Sequence, residues 1–329
     1  MKNFVKLLYR KIFPYKPHPE EDYNSFVNYW DGRQYPRVAD IETTNICNAH
    51  CLSCLYDKAT RPKGIMSLES FKWIADKLKE HKVPIRGMYT TGEPLIDPTL
   101  FEKYAYAREI KNMVYSDLNT NVSLLTPEKY DKILDHTDNI TLSFFNIGNE
   151  FERLTGGLNW NRCYKNAIDF IKYRDKHRPD YRIFIGCNPV KGSNLEAVKK
   201  AFKDYNVEWA IDAELRWAGK VITGVIDRAI MHPSFRCDGH LGALKIKWDG
   251  SCEICAYDFF QETEFANIFT DNWDEIERKF KEGWKKPFSL CARCDYWHLY
   301  WRVKKNHFKY VEDYRWQKPF LDGGEEPQR

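Results

Sequence analysis

From Val38 onward, short apolar or β-branched runs alternate with longer stretches in which apolar residues recur every three or four positions. That alternation is the pattern of repeated βα units around a parallel sheet. Six runs predict strands, at residues 38–44, 85–90, 113–119, 140–145, 181–187 and 207–215. The first predicted helix follows Met66, with Ser67 as its N-cap and Leu68, Phe71, Ala75 and Leu78 as one apolar stripe. Further helices are expected to begin near Pro98, Thr126, Asn161 and Asn194, each after a residue that favours a helix start. Beyond about Val225 the period changes. Residues 243–248, the turn pair Asp249-Gly250 and residues 252–257 predict a β-hairpin, followed by a helix over 272–281 and an aromatic, basic tail. The pattern divides the chain into an extension (1–37), six βα units (38–225), a smaller module (226–300) and the tail (301–329).

Composition narrows the function classes. At 329 residues, 43% of them hydrophobic, the chain has material for about two packed domains. No apolar run approaches the ~18 residues of a spanning helix. With 51 basic and 47 acidic residues, the charge is too balanced to argue a nucleic-acid partner, even though Trp297, Tyr300, Trp301, Arg302, Lys304 and Lys305 mix aromatic and basic groups; a lid or packing role is expected for them. Lys6, Arg10 and Lys11 interrupt the N-terminal apolar residues, so no export signal is read there, and a cytoplasmic location with reduced thiols is expected. The same basic, amphipathic stretch is a candidate for peripheral membrane contact, against the alternative of a terminal helix packed on its own domain.

The ten cysteines cluster. Cys47, Cys51 and Cys54 form a C-x3-C-x2-C triplet directly after the first predicted strand. Three thiolates on one loop can hold three corners of a cubane iron–sulfur cluster and leave the fourth iron open; zinc completed by His50 or another cysteine is the alternative. One βα unit later comes Thr90-Thr91-Gly92-Glu93-Pro94. The triplet and this segment together resemble the radical S-adenosylmethionine (radical SAM) superfamily, although Ser53 stands where many members carry an aromatic residue.

The resemblance implies a partial (βα)6 TIM-type barrel, a [4Fe-4S] cluster on Cys47, Cys51 and Cys54, and S-adenosylmethionine bound across the strand ends. By the same resemblance Gly92 and Glu93 meet the methionyl group, and Asn119, Asn121, Ser143 and Arg153 are candidates for its ribose or carboxylate. In the C-terminal module, Cys237, Cys255, Cys291 and Cys294 resemble the ligands of a SPASM or twitch module, with one auxiliary [4Fe-4S] cluster and Cys252 left over. A four-cysteine zinc ribbon using Cys252-x2-Cys255 and Cys291-x2-Cys294 competes with it.

A peptide-recognition domain needs more than the 37 residues ahead of the first strand, so a small-molecule substrate is expected: a sugar, aminocyclitol or nucleotide-linked metabolite. The expected reaction is oxidation of a carbinol, with the auxiliary cluster as electron acceptor and a flavodoxin or ferredoxin as reducing partner. Alternation places Asp212, Glu214 and Arg216 on one face of the sixth strand; Glu214, Arg216 and His240 are the candidates for substrate contact or proton transfer. Epimerisation with Cys163 or Cys187 returning hydrogen, peptide modification, and a non-catalytic metal-binding protein are the alternatives.

Overall fold

The computed structural model describes residues 36, 38–88, 91–187, 192–211, 243–256 and 258–285. It contains β1 (Val38–Ile41), β2 (Ile85–Gly87), β3 (Asp117–Thr120), β4 (Asn139–Ser143), β5 (Arg182–Cys187) and β6 (Glu208–Ile211), the six predicted strands in order. The third starts four residues later than expected, because Met113 forms only an isolated bridge to Ile85. That bridge ties β2 to the segment leading into β3, the first strand of the sheet β3-β4-β5-β6, in which every neighbouring pair is parallel. The result is the curved wall of a partial TIM-type barrel.

The helices are α1 (Leu68–Glu80), α2 (Leu100–Glu109), α3 (Tyr130–His136), α4 (Gly148–Leu154), α5 (Trp160–His177), α6 (Leu195–Phe202) and α7 (Trp273–Lys285). Ser67 caps α1, its side chain accepting the Ser70 N–H at 3.0 Å, and Asn159 and Asn194 cap α5 and α6 in the same way. Phe71, Ile74, Ala75 and Leu78 of α1 are buried in the same core as Ala39 and Ile41 of β1, each large side chain contributing about 1.5–3 kcal/mol. Helix α4 had no signal in the pattern, being a single seven-residue segment between strand and long helix. Among the described residues no helix is long and apolar enough to cross a membrane.

The C-terminal hairpin is not a separate layer. β7 (Ala243–Ile246) pairs in parallel with β1, residue for residue from Val38↔Ala243 to Ile41↔Ile246. β8 (Ser251–Glu253) and β9 (Glu264–Asn267) then extend the same sheet antiparallel, giving the order β2-β1-β7-β8-β9. The turn at Asp249-Gly250 is as expected, with Gly250 at φ +85°. The expected second strand ends early, at Glu253. Lys77 of α1 rivets this extension to the barrel by donating to the carbonyls of Ile268 and Asp271 at 2.9 and 3.2 Å, and His81 stacks on Trp273.

Alternation then sorts the side chains. Leu118, Ile140, Leu142, Ile183, Ile185, Leu244 and Ile246 are buried in the helix-covered core. The other face lines the inside of the wall. Across β3, β4 and β5 it carries Asn119, Thr141 and Phe184 in one register row, and Ser143 beside Gly186 in the next. Across β1, β2, β7 and β8 it carries Asp40, Glu42, Arg86, Lys245, Lys247 and Glu253.

Candidate active site

Cys47, Cys51 and Cys54 lie on the loop that leaves β1, all three half-buried. Four hydrogen bonds and one close backbone approach fix that loop. Asn45 spans it, donating to the Pro62 carbonyl at 2.7 Å and accepting the Gly64 N–H at 2.8 Å. The N–H groups of His50 and Leu52 donate to the Thr155 and Leu154 carbonyls at the end of α4, at 3.0 and 2.9 Å. Gly156, at φ +68°, lies so close beneath His50 that a Cβ would stand 2.3 Å from its carbonyl oxygen.

Burial and mutual repulsion raise the thiols: Cys47 is pushed up to about 11, and Cys51 and Cys54 are also raised. A donor set of this kind suits a cationic iron centre, whose charge keeps coordinating thiols deprotonated. Among the described residues no three His, Cys, Asp or Glu side chains converge on one ion-sized point; thiolates that each bind a different iron of a cubane do not need to. His50, more than half exposed, bonds Asp57 through Nδ1 at 2.7 Å. The three cysteines therefore fit the cluster, and the protein's part is to hold Cys47, Cys51 and Cys54 on one braced loop.

The loop after β2 meets the same assembly. Gly92 takes φ +80°, and a Cβ there would stand 2.8 Å from the carbonyl oxygens of Thr44 and Ile46. Only glycine lets this segment press against the cysteine loop. The Glu93 N–H donates to Ile46 O at 2.8 Å. The Glu93 carboxylate, in contrast, faces inward: it accepts from Leu95 N–H at 3.1 Å, Thr120 Oγ1 at 2.8 Å and Asn121 N–H at 2.7 Å. Burial pushes its pKa up to about 7. Glu93 is thus a brace joining the loops after β1, β2 and β3, and the exposed edge near Gly92 is backbone.

The remaining expected residues divide. Asn119 and Ser143 stand half-buried on the inner face. Asn121 is tied to the cysteine loop: its Nδ2 donates to Asn48 Oδ1 at 2.9 Å and lies 3.9 Å from Cys47 Sγ, while its Oδ1 accepts from Ser123 Oγ at 2.7 Å. Arg153 is about half exposed and pairs with Glu150 at 2.9 Å. Cys163 and Cys187 are buried. Glu214, Arg216 and His240, with Asp212, Cys237, Cys291 and Cys294, lie outside the described residues, as do Thr90, residues 2–13 and the tail. Cys255 is half-buried and lies near Lys245, whereas Cys252 is fully buried on the helix side and its thiol donates to Gly250 O at 3.7 Å.

The sequence model of the radical SAM superfamily matches residues 41–205, half of the chain, and its span runs from β1 through α6. The chain belongs to the radical SAM superfamily. Its cofactors are accordingly S-adenosylmethionine and a [4Fe-4S] cluster. Solved structures share the fold: BtrN in complex with AdoMet and 2-DOIA (16% identity, 80% of this chain and 94% of that one, TM-score 0.52) and anSMEcpe with AdoMet and the Cp18Cys peptide (17%, 87% and 98%, TM-score 0.54). SuiB of Streptococcus suis bound to S-adenosylmethionine follows at 14% identity, 89% and 81% coverage and TM-score 0.50. These overlaps run over more of the chain than residues 41–205, so the likeness extends past the radical SAM core.

One feature of this radical SAM protein escaped the sequence reading: the ring of charges on the inner face. Its signal was present, since Asp40 and Glu42, and again Lys245 and Lys247, stand two apart in otherwise apolar strands.

Proposed function

We propose that this radical SAM enzyme abstracts hydrogen from a carbinol carbon of a small hydroxylated molecule, a sugar, aminocyclitol or nucleotide-linked metabolite, and oxidises it to a carbonyl. The observation that carries the reading is the parallel pairing of β7 with β1, which seats the hairpin bearing Cys255 on the barrel strand that leads to Cys47. A module docked there is suited to take an electron from a substrate held in the lumen. The overlap with BtrN supports the same reading, since it spans 94% of a protein crystallised with AdoMet and 2-DOIA.

Bound together, the cluster and S-adenosylmethionine supply a 5'-deoxyadenosyl radical. The chain's own residues position and exclude. The backbone beside Gly92 receives the methionyl ammonium, Asn119 and Ser143 face the ribose and carboxylate, and Arg153 closes from the end of α4. Asn121 and Glu93 hold those loops in place. In the overall reaction the carbinol carbon would lose a hydrogen atom and its hydroxyl a proton to Glu214 or His240, with Arg216 as a substrate contact; Cys237, Cys255, Cys291 and Cys294 would hold the auxiliary [4Fe-4S] cluster that supplies an acceptor for the remaining electron. A flavodoxin or ferredoxin supplies the initiating electron. The fold boundaries proposed for these parts are 38–225 for the core and 226–300 for the auxiliary module.

The test is iron, sulfide and zinc per chain after anaerobic reconstitution, followed by a screen of hydroxylated metabolites for oxidation with 5'-deoxyadenosine release. Two cubanes give about eight irons. About four irons plus one zinc would make the second site structural and end the dehydrogenase reading in favour of redox-neutral chemistry such as epimerisation.

A further inference from the structure

Closed barrels fill their interior with branched aliphatic side chains. Here the inner face of β1, β2, β7 and β8 is charged and buried. Asp40 is shared by Arg86 and Lys245, and Glu42 by Arg61, at 3.0 Å, and Lys247, at 3.6 Å. Lys247 also meets Glu253 at 3.1 Å. Three buried carboxylates thus face four cations. A fourth carboxylate, Asp249, is partly exposed and stands 3.8 Å from Arg61 Nη2, beyond hydrogen-bond reach. With Asp249 and the fully buried Asp258 beside Glu253 included, the carboxylates are not outnumbered, so what is left over is the hydrogen-bonding capacity of single buried groups.

Arg61 identifies where. Its side chain is 3% exposed, and its Nη1 is used on Glu42. Its Nε and Nη2, the two nitrogens of one flat edge, have no hydrogen-bond partner among the described residues. Elsewhere in the molecule that same edge grips a carboxylate: Arg86 on Asp40, Arg153 on Glu150 and Arg182 on Glu208. The other buried side-chain atoms without a hydrogen-bond partner among the described residues are Trp248 Nε1, Thr43 Oγ1 and both oxygens of Glu253, which pairs with Lys247 by charge alone. Buried donors of this kind call for a partner.

We propose that the charged part of the lumen is a subsite for an anionic group of the substrate, a carboxylate or phosphate, gripped by the Nε/Nη2 edge of Arg61. This rests on the reading of the lumen as the substrate chamber. Glu42 also accepts a hydrogen bond from Thr91, next to Gly92, so the subsite is mechanically joined to the segment proposed to hold the methionyl group. An ionic anchor there sets which carbon of the substrate faces the cofactor.

The test uses the full-length, anaerobically reconstituted protein, with inorganic phosphate and succinate titrated separately by calorimetry. At least one is expected to bind saturably, one per chain. Arg61→Lys, which keeps the charge facing Glu42 but loses the flat edge, should weaken that anion tenfold or more with S-adenosylmethionine affinity unchanged within twofold. Asp249→Asn, on a partly exposed turn, should tighten it several-fold by removing a repelling carboxylate, and serves if Arg61→Lys does not fold. Saturable binding of neither anion, wild-type affinity in both variants, or a parallel loss of S-adenosylmethionine affinity would overturn the proposal; the last would assign the edge to the cofactor's own carboxylate. Failure of the radical reading itself would appear separately, as absent 5'-deoxyadenosine with anion binding intact.

Discussion

The two sides of the lumen solve the problem of a polar interior in opposite ways. At the C-terminal ends of β3, β4 and β5 the inward rows are neutral, with Asn119, Thr141 and Phe184 in one and Ser143 beside the bare backbone of Gly186 in the next; the charged Asp117 and Arg182 stand one row further back. Beneath β1, β2, β7 and β8 the inward residues are ions that neutralise one another, with Asp40 held far below the usual carboxylate range by Lys245 and Arg86 against the desolvation of its buried site, and Lys245 brought down to about 8 by burial. Neutral donors and acceptors can exchange partners with a ligand at little cost. Buried ion pairs cannot, because removing one partner strands the other. The first side is therefore suited to a cofactor that comes and goes, and the second to a permanent framework with one open grip.

The largest effect that would test this division comes from the cysteine loop at its edge. Replacing Cys47, Cys51 and Cys54 together by Ala should abolish reductant-dependent 5'-deoxyadenosine and lower iron from about eight to about four per chain, while the melting transition persists. Next is the contrast between the sides. Glu42→Gln leaves Arg61 and Lys247 facing a neutral amide and should cost about 3–5 kcal/mol in denaturant unfolding. Ser143→Ala should cost about 1 kcal/mol or less and be felt instead as weaker S-adenosylmethionine binding by equilibrium dialysis. Equal destabilisation by both would erase the distinction.

Two smaller effects sharpen it. Burial raises Glu93 from 4.5 to about 7, so between those values the native protein keeps a proton that the unfolded chain has released. Its contribution should make stability fall as pH rises through that window, and Glu93→Gln should remove the slope while losing the Asn121 N–H bond, about 1 kcal/mol. Chemical unfolding at pH 5, 6 and 7 reads both. Smallest is Arg153→Ala: the pair with Glu150 is solvent-exposed, so stability should stay within about 0.5 kcal/mol, with S-adenosylmethionine affinity down a few-fold. An unchanged affinity would return Arg153 to the surface.

The six strands and the caps at Ser67 and Asn194 were legible because local patterns encode them: alternation for strands, a side-chain oxygen before an apolar stripe for helices. The cysteine triplet was legible for a similar reason, since all of its ligands sit on one short loop. What was hidden depends on partners far apart in sequence. Glu93 reads as an exposed carboxylate beside a glycine, yet Thr120 and Asn121, 27 and 28 residues on, turn it inward. Hairpin signals announced β7 and β8, but nothing local says that β7 lies against a strand 205 residues earlier, as the Asp40–Lys245 pair shows. Cys252 illustrates the same limit: spacing offered it as a metal ligand in the zinc ribbon, while the sheet buries it on the helix side.

The pairing of β7 with β1 also has a consequence in time. During synthesis β1 emerges early and finds β2 within about fifty residues, but its other edge stays open until Ala243–Ile246 leave the ribosome. For most of translation, the strand that carries the cysteine loop is thus the exposed edge of an unfinished sheet, with Asp40 and Glu42 lacking Lys245 and Lys247. Closure of that edge is a late event.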